Sequence, residues 1–548
     1  MNRLLLLSLA LLSATGTAIA ARVTPSQASA YAAAYLRNII KTDAKPATVA
    51  PIVFGEASPL YVVNLVPQGW VIIAADDVIA PVVGYSESGF IRADSIDPNF
   101  KAYLGHFADD VAVRSERGDD SSPAWATDTI ASTNKAASAV APLVKVEWNQ
   151  SGKYRQYCPS SSSAGDAIVG CVAVGMGQAM AVYRKPARPR GFKQYKSENY
   201  GVLSVDYDSE APYNWSEIIN AQSSESDGKE CARLLYHLGV SVEMSYSGNG
   251  SGVTYMGVVP YALKTYFGYS NKVTNVGKDK YSDAEWSALL KNELSAGRPL
   301  IYAGYSTSGG HCFNIDGYNE AGLFHFNFGW GGNGNGYFAI SAHEYNSGER
   351  CAINFAPATG EPSAIVLSNS SVAKGSPTGS VVATLSAETD MDGCQFIFAT
   401  SGVENPVTGV VSEPAFSVDG DKLVTNDVFA EKYGADSKAK VTSVNITATN
   451  VETLATLTQK VSITLSASAA LSATAEEGAS VIVSDGAVVI TTLGEAICAT
   501  LVSTDGKTLG RASIAPYGSH SFASLPRGLY ALTLSRGGNS STRLIIVK

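Results

Sequence analysis

From Gly360 onward, Ser, Thr, Ala and Val dominate the chain, and apolar and small polar residues alternate with period two. The clearest runs are VTSVNITATN (441–450) and KVSITLSAS (460–468). A strand sends successive side chains to opposite faces, so this pattern predicts sheets with one buried face and rules out amphipathic helices there. Residues 359–470 are expected to form an immunoglobulin-like β-sandwich. A last β-rich unit is expected over 471–548, with Asp485-Gly486 and Asp505-Gly506 as hairpin turns between apolar strands. A chain of 548 residues is too long for one hydrophobic core.

The N-terminal part has a different texture. Arg3, the apolar run Leu4–Leu12 and the small residues Ala18-Ile19-Ala20 read as a secretory signal over 1–20. The run is short for a membrane span, and no later span follows. A first unit, 21–138, opens with a helix capped by Thr24 or Ser26, followed by the β-rich runs LYVVNLV, GWVIIAA and PVVGYS. Ser, Ala, Thr and Asp crowd residues 116–139, the composition of an exposed linker. Residues 139–358 follow, with helices expected near 172–183, 229–238, 256–267 and 283–296. Strands are expected near 299–305, 311–318, 323–328 and 336–340. Helices first and strands later describe an α+β domain.

Charge and motif content narrow the chemistry. The net charge of −9, without a basic patch interleaved with aromatics, argues against a nucleic-acid partner. No His-Glu-x-x-His, paired Cys-x-x-Cys or Walker loop occurs, so neither a metal nor another cofactor is expected. Seven scattered cysteines are no disulfide framework, and the odd thiol in an exported chain asks for a use.

That use is suggested by GCVAVGMGQAM, in which Cys171 follows a glycine and heads an apolar helix. A thiol is a weak nucleophile until ionised, and a helix N-terminus with a nearby imidazolium favours the thiolate. The competing reading of Cys171 is a buried structural cysteine. Downstream, GGHCFNIDGY carries His311 and FHFNFGWGG carries Asn327. A hairpin centred near Asn319 would set His311 and Asn327 almost opposite each other, about 5 Å apart at Cβ. The Asn327 amide would then accept the His311 Nδ1 proton and leave Nε2 toward the thiol. His325, Asp316 and Cys312 lie close by and are read as structural. Gln150, in VEWNQ, can donate to the oxyanion of an acyl-transfer intermediate together with the Cys171 N–H. Trp330 can shield the His–Asn pair from water.

With these residues in order, the chain resembles the streptopain family of papain-like cysteine peptidases, and within it the Bacteroidetes interpain- and periodontain-like branch. VEWNQ, GCVAVGMGQ, GGHCFNIDGY and FHFNFGWGG carry the likeness, over about Val144 to Ile340. The resemblance implies a papain-like domain with Cys171 as nucleophile, His311 as acid and base, Asn327 orienting the imidazole and Gln150 in the oxyanion hole. It also implies Trp330 and Phe328 as an active-site wall. Phe328 departs from the family, where tryptophan is usual, and Cys312 stands where alanine is more common, a possible oxidation partner near the site.

Residues 21–138 are similar to the family's inhibitory propeptide, which implies a zymogen cut near 121–141. Residues 471–548 resemble the β-sandwich sorting domain of type IX secretion substrates, which implies secretion machinery as a partner and a secreted or outer-membrane location. The function implied is a cysteine endopeptidase acting on proteins or peptides. The alternatives are a thiol amidase or transpeptidase on cell-wall peptides, and an inactive surface adhesin.

Overall fold

A computed structural model describes residues 21–125, 139–307, 309–466, 479–484, 486–492, 494–536 and 539–547. The segment expected to be a signal, most of the expected linker and Asp485 lie outside the described residues. The chain divides into two compact units, Met1–Thr359 and Gly360–Lys548.

In the first unit, helix α1 (Pro25–Tyr35) starts at Thr24 rather than Ser26. The Thr24 hydroxyl accepts the Gln27 N–H (3.3 Å), and Gln27 Oε1 accepts the Thr24 N–H (2.8 Å), a reciprocal cap. Strands β1 (Lys45–Phe54), β2 (Ala57–Val66), β3 (Trp70–Ala74) and β4 (Val82–Ser86) form an antiparallel meander. Helix α2 (Pro98–Arg117) is capped by Asp97 and ends at Gly118, whose φ of 69° suits glycine. Neither β1 nor α2 is among the expected elements. In β1, Pro46 and Pro51 break the usual strand composition. In α2 the signal was present: Phe100, Tyr103, Leu104, Phe107 and Val111 recur at helical spacing and are all buried.

The chain continues through a small hairpin, β5 (Ser160–Ser161) and β6 (Gly165–Asp166), to helix α3 (Cys171–Tyr183). A second hairpin, β7 (Phe192–Ser197) and β8 (Gly201–Asp206), precedes helices α4 (Trp215–Asn220), α5 (Lys229–Ser241) and α6 (Val258–Phe267). Then come β9 (Thr274–Gly277), α7 (Asp283–Ser295), β10 (Leu300–Ser306), β11 (Gly309–Tyr318), β12 (Phe324–Asn327), β13 (Gly336–Phe338) and β14 (Ser347–Ile353). The order of helices before strands is the expected α+β arrangement.

One ten-stranded sheet, in the order β1-β2-β3-β4-β13-β12-β11-β10-β14-β9, runs through both halves of this unit. The seam is β4 against β13, where Tyr85 faces Tyr337 and Gly84 faces Phe338. A Cβ on Gly84 would stand 2.3 Å from the Phe338 ring, so only glycine lets the two strands meet here. Two cores flank the sheet. One joins α3, α5 and α6 around Trp148, Met176, Leu235 and Leu263. The other is aromatic and shared across the seam: Trp70, Phe100 and Tyr103 pack with Phe313, Phe326, Phe328, Phe338 and Tyr345. Residues before the linker and residues after it therefore bury apolar surface in one core.

In the second unit, residues 360–466 form two four-stranded sheets that share one core around Leu385, Phe416, Leu423, Val444, Ile446 and Ile463. The alternation in Val441–Asn450 buries Val444, Ile446, Ala448 and Asn450, as period two requires. Residues 479–547 form a three-stranded and a four-stranded sheet around Val488, Ile490, Leu501 and Leu532. Ser484 pairs with Ala487 across one expected turn, and Gly506 takes φ 86° in the other.

Candidate active site

Cys171 is the first residue of α3 and partly exposed. Gly170 before it has φ 92°. A Cβ there would lie 2.7 Å from Met244 Sδ and 3.0 Å from the Ser251 carbonyl oxygen, so the glycine serves packing behind the thiol rather than room for a ligand. The Cys171 sulfur is met by the backbone N–H groups of Cys312, Val172 and Cys171 itself. Loss of hydration nevertheless outweighs these donors and pushes the thiol above its ordinary value.

His311 lies on β11, paired with Gly304 of β10. Its ring stacks on Trp330 (4.8 Å between centroids, 25°) and packs against Tyr345 (5.1 Å) and Phe313 (5.8 Å). His311 Nε2 lies 2.9 Å from the Phe328 carbonyl oxygen. A carbonyl only accepts, so Nε2 carries the proton, and the neutral ring keeps its basic lone pair on Nδ1. Burial holds the imidazole down at about 4, against the opposing pull of that carbonyl. Strand alternation sends Cys312 to the α3 side of β11 and His311 to the aromatic side. In the full chain the imidazole is thus neutral and donates to Phe328, and burial disfavours the Cys171 thiolate.

The hairpin register corrects a second expectation. Asn327 faces Asn314, not His311. The turn closes between Asn319 and Leu323, about two residues later than a centre at Asn319, with Asn319 Oδ1 accepting the Leu323 N–H (2.9 Å). A bulge between Ile315 and Gly317 takes back one residue of that shift, so Asn327 pairs with Asn314 rather than Ile315. The residue in the bulge, Asp316, accepts the Val144 N–H (2.9 Å) and contacts His325 Nδ1 (2.6 Å), so both are tied into local structure. Asn327 Oδ1 accepts the Gly329 N–H (3.2 Å), which bends the backbone at Phe328, the residue whose carbonyl holds His311.

Gln150 sits beside the segment that enters α3, because the Val169 N–H donates to the Gln150 carbonyl (3.0 Å). Phe328 and Trp330 stack at 4.6 Å and 7° and are both buried, forming the wall behind His311. Helix α2 closes this aromatic box from outside. The Tyr103 ring lies 4.9 Å from Phe328, 5.3 Å from Phe338 and 6.2 Å from Tyr345.

Comparison with known proteins bears on this arrangement. Residues 148–338 match the peptidase C10 family, and residues 20–111 match the Spi protease inhibitor family. Streptopain of Streptococcus pyogenes is 30% identical over 312 residues, which cover 52% of this chain and 74% of streptopain. The chain belongs to the peptidase C10 family. Cys171, His311, Asn327, Gln150, Phe328 and Trp330 all fall inside the C10 span. The thiol protease/hemagglutinin PrtT of Porphyromonas gingivalis is 29% identical over 325 residues, 55% of this chain but only 37% of that relative's length. A solved fragment of Prevotella intermedia prointerpain A is 27% identical, with a TM-score of 0.46, over 56% of this chain and 98% of that one.

Two residues of the C10 domain escaped the sequence reading. Gln178 and Asn314 are fully buried and bonded to Asn327 or to each other. Gln178 was legible as the one strongly polar side chain in the apolar run of α3. Among the described residues no group of His, Cys, Asp and Glu is placed to hold a metal ion. No described helix is long and apolar enough to cross a membrane.

The buried neutral His311 makes the full-length C10 chain acid-sensitive. Its folded value near 4 lies below the unfolded value of about 6.5, so the unfolded chain binds the proton first. The stability this group contributes is complete above about pH 6.5 and is lost as pH falls toward 4, up to about 3 kcal/mol at about 1.4 kcal/mol per unit. His237, held near 3 by burial, acts in the same direction. Urea unfolding at several pH values should show a falling midpoint across this window, and His311→Gln should remove part of that slope. An unchanged slope in His311→Gln would contradict the assignment.

Proposed function

We propose that the chain is the zymogen of a secreted cysteine endopeptidase. The observation that carries this reading is the shared aromatic core, in which Tyr103 of the pro-segment and His311 of the C10 domain pack on the same Phe328 and Tyr345. The pro-segment acts on the imidazole through its aromatic box. Its removal would withdraw α2 from Phe328 and β4 from β13, leaving the stretch around 328–345 without half of its packing. His311 would then be free to turn its Nδ1 toward the Cys171 thiol while Nε2 keeps the Phe328 carbonyl.

In the mature enzyme the Cys171 thiol passes its proton to His311 Nδ1, and the thiolate attacks the scissile carbonyl. The Cys171 N–H and the Gln150 side-chain amide hold the oxyanion. The imidazolium protonates the leaving amine, and water, deprotonated by the same ring, releases the acyl group. Asn327 orients the imidazole through the Phe328 carbonyl, with Trp330 and Phe328 excluding water from that bond.

Processing would fall within 121–141. Trp125 is anchored by its indole N–H to the Ile79 carbonyl (2.7 Å), and Val140 is paired with Tyr318 (2.8 and 2.9 Å), so the cut belongs between these anchors. The signal at 1–20, an immunoglobulin-like sandwich at 359–470 and a type IX sorting domain at 471–548 complete a protein exported to the surface or medium. Its partners are protein or peptide substrates, its own pro-segment and the secretion machinery.

The test is to incubate the mature protein with casein and with peptidoglycan peptides, with and without iodoacetamide. The expected result is casein cleavage, lost as Cys171 is alkylated. Cutting of peptidoglycan peptides alone would replace the endopeptidase with an amidase or transpeptidase. An unreactive Cys171 with no cleavage would leave an adhesin.

A further inference from the structure

Gln178 lies two helical turns after Cys171 on α3, with no exposed surface. Its Oε1 accepts the Trp148 N–H at 2.9 Å. Its Nε2 donates to Asn314 Oδ1 at 3.2 Å and to Asn327 Oδ1 at 3.1 Å. Asn314 Nδ2 in turn donates to the carbonyls of Gly175 (2.9 Å) and Leu300 (3.3 Å). Asn327 Nδ2 donates to the Val146 carbonyl at 2.9 Å. Every N–H of the Gln178 and Asn314 amides has an acceptor, so the orientation of both carboxamides is determined by their neighbours.

This cluster joins four stretches of chain, and each carries one part of the proposed chemistry. Helix α3 bears Cys171. The 146–150 stretch bears Gln150. Strand β11 bears Asn314 and, three residues earlier, His311. The end of β12 bears Asn327, followed by the Phe328 carbonyl that binds His311 Nε2. Gln178 touches three of the four directly and α3 is its own. A fully satisfied buried polar network specifies one arrangement, because any relative sliding of the segments leaves an amide unpaired in a buried site.

We infer that Gln178 is a positioning residue for the peptidase reaction: through Asn314, Asn327 and Trp148 its carboxamide sets the register between the Cys171 helix and the segments bearing His311 and Gln150. The inference rests on the function proposed above. It differs from a purely stabilising role in that Gln178 controls turnover in molecules that are folded.

Gln178→Glu keeps the shape and the acceptor toward Trp148. When ionised it has no donor for Asn314 or Asn327 and turns an oxygen toward theirs; when protonated it can donate to one of them. Gln178→Leu removes the donors at every pH. Both full-length variants would be matured by a trace of wild-type enzyme and assayed on a fluorogenic peptide between pH 5 and 8. The alkylation rate of Cys171 by iodoacetamide and the thermal midpoint would be measured on the same samples. For folded Gln178→Glu, kcat at neutral pH should fall at least about tenfold with KM changed by less than about threefold. Activity should partly return as pH drops, and Gln178→Leu should show no such return. The alkylation profile should shift in both variants, a readout that survives even if the wild type proves to be no peptidase. Activity within about twofold of wild type in both folded variants would overturn the inference. So would losses that match the unfolded fraction, or failure of both variants to fold, which would make Gln178 a stability residue alone.

Discussion

Replacing Cys171 with alanine is expected to lower peptide cleavage by about 10⁵-fold or more, since no covalent acyl intermediate can form without the sulfur. Turnover of a fluorogenic peptide measures this, and electrophoresis of the secreted chain measures its second consequence, a pro-segment that stays attached. Stability should change little, by about 1 kcal/mol at most, because Cys171 is partly exposed at a helix start and the change is small in volume. The Asn314, Asn327 and Gln178 amides do not touch the thiol and should keep their bonds. A Cys171→Ala protein that still cuts peptides would remove Cys171 from the mechanism. The same variant, inert to self-digestion, is the background in which the zymogen's stability is best read.

The second large effect is expected at Tyr103. Its ring is fully buried and packs on Phe100, Phe107, Phe328, Phe338 and Tyr345. Tyr103→Ala removes most of that ring from the core shared across the β4–β13 seam and should cost the zymogen about 3–5 kcal/mol, the usual range for aromatic truncation in a core. Denaturant titration in the Cys171→Ala background checks the magnitude. In the otherwise wild-type chain, the loosened box around His311 should raise the rate at which iodoacetamide labels Cys171 before the pro-segment is cut. The Tyr103 hydroxyl is buried with no hydrogen-bond partner among the described residues. Tyr103→Phe should therefore be neutral or stabilising by about 1–3 kcal/mol, the opposite sign from alanine at the same site. If Tyr103→Ala leaves both stability and labelling unchanged, α2 does not hold the aromatic box closed.

The two expectations test different parts of one arrangement. Cys171 already occupies the helix start that its role requires. The His311 ring sits in an aromatic box with a carbonyl acceptor, and Tyr103 of α2 packs against that box. With its Nε2–H bound to the Phe328 carbonyl, the neutral imidazole keeps its Nδ1 lone pair as a base.

Local pattern determined much of this protein. The period-two runs after Gly360 became strands whose alternate residues are buried. The apolar face of GCVAVGMGQAM became a helix beginning at Cys171, and Thr24 with Gln27 capped the first helix. These outcomes depend on interactions within a few residues, which is why they can be read from sequence. Tertiary structure decided the rest. The bulge at Asp316 and the turn closed by Asn319 moved Asn327 opposite Asn314, because a strand register depends on both partners and a single extra residue shifts every later pair. The proton on His311 Nε2, the burial that holds the ring neutral, and the convergence of Gln178, Asn314 and Asn327 all arise between segments far apart in the chain. The continuity of the ten-stranded sheet through β4 and β13 does too. Hydrogen bonds and desolvation at those meetings depend on distances that no local pattern encodes.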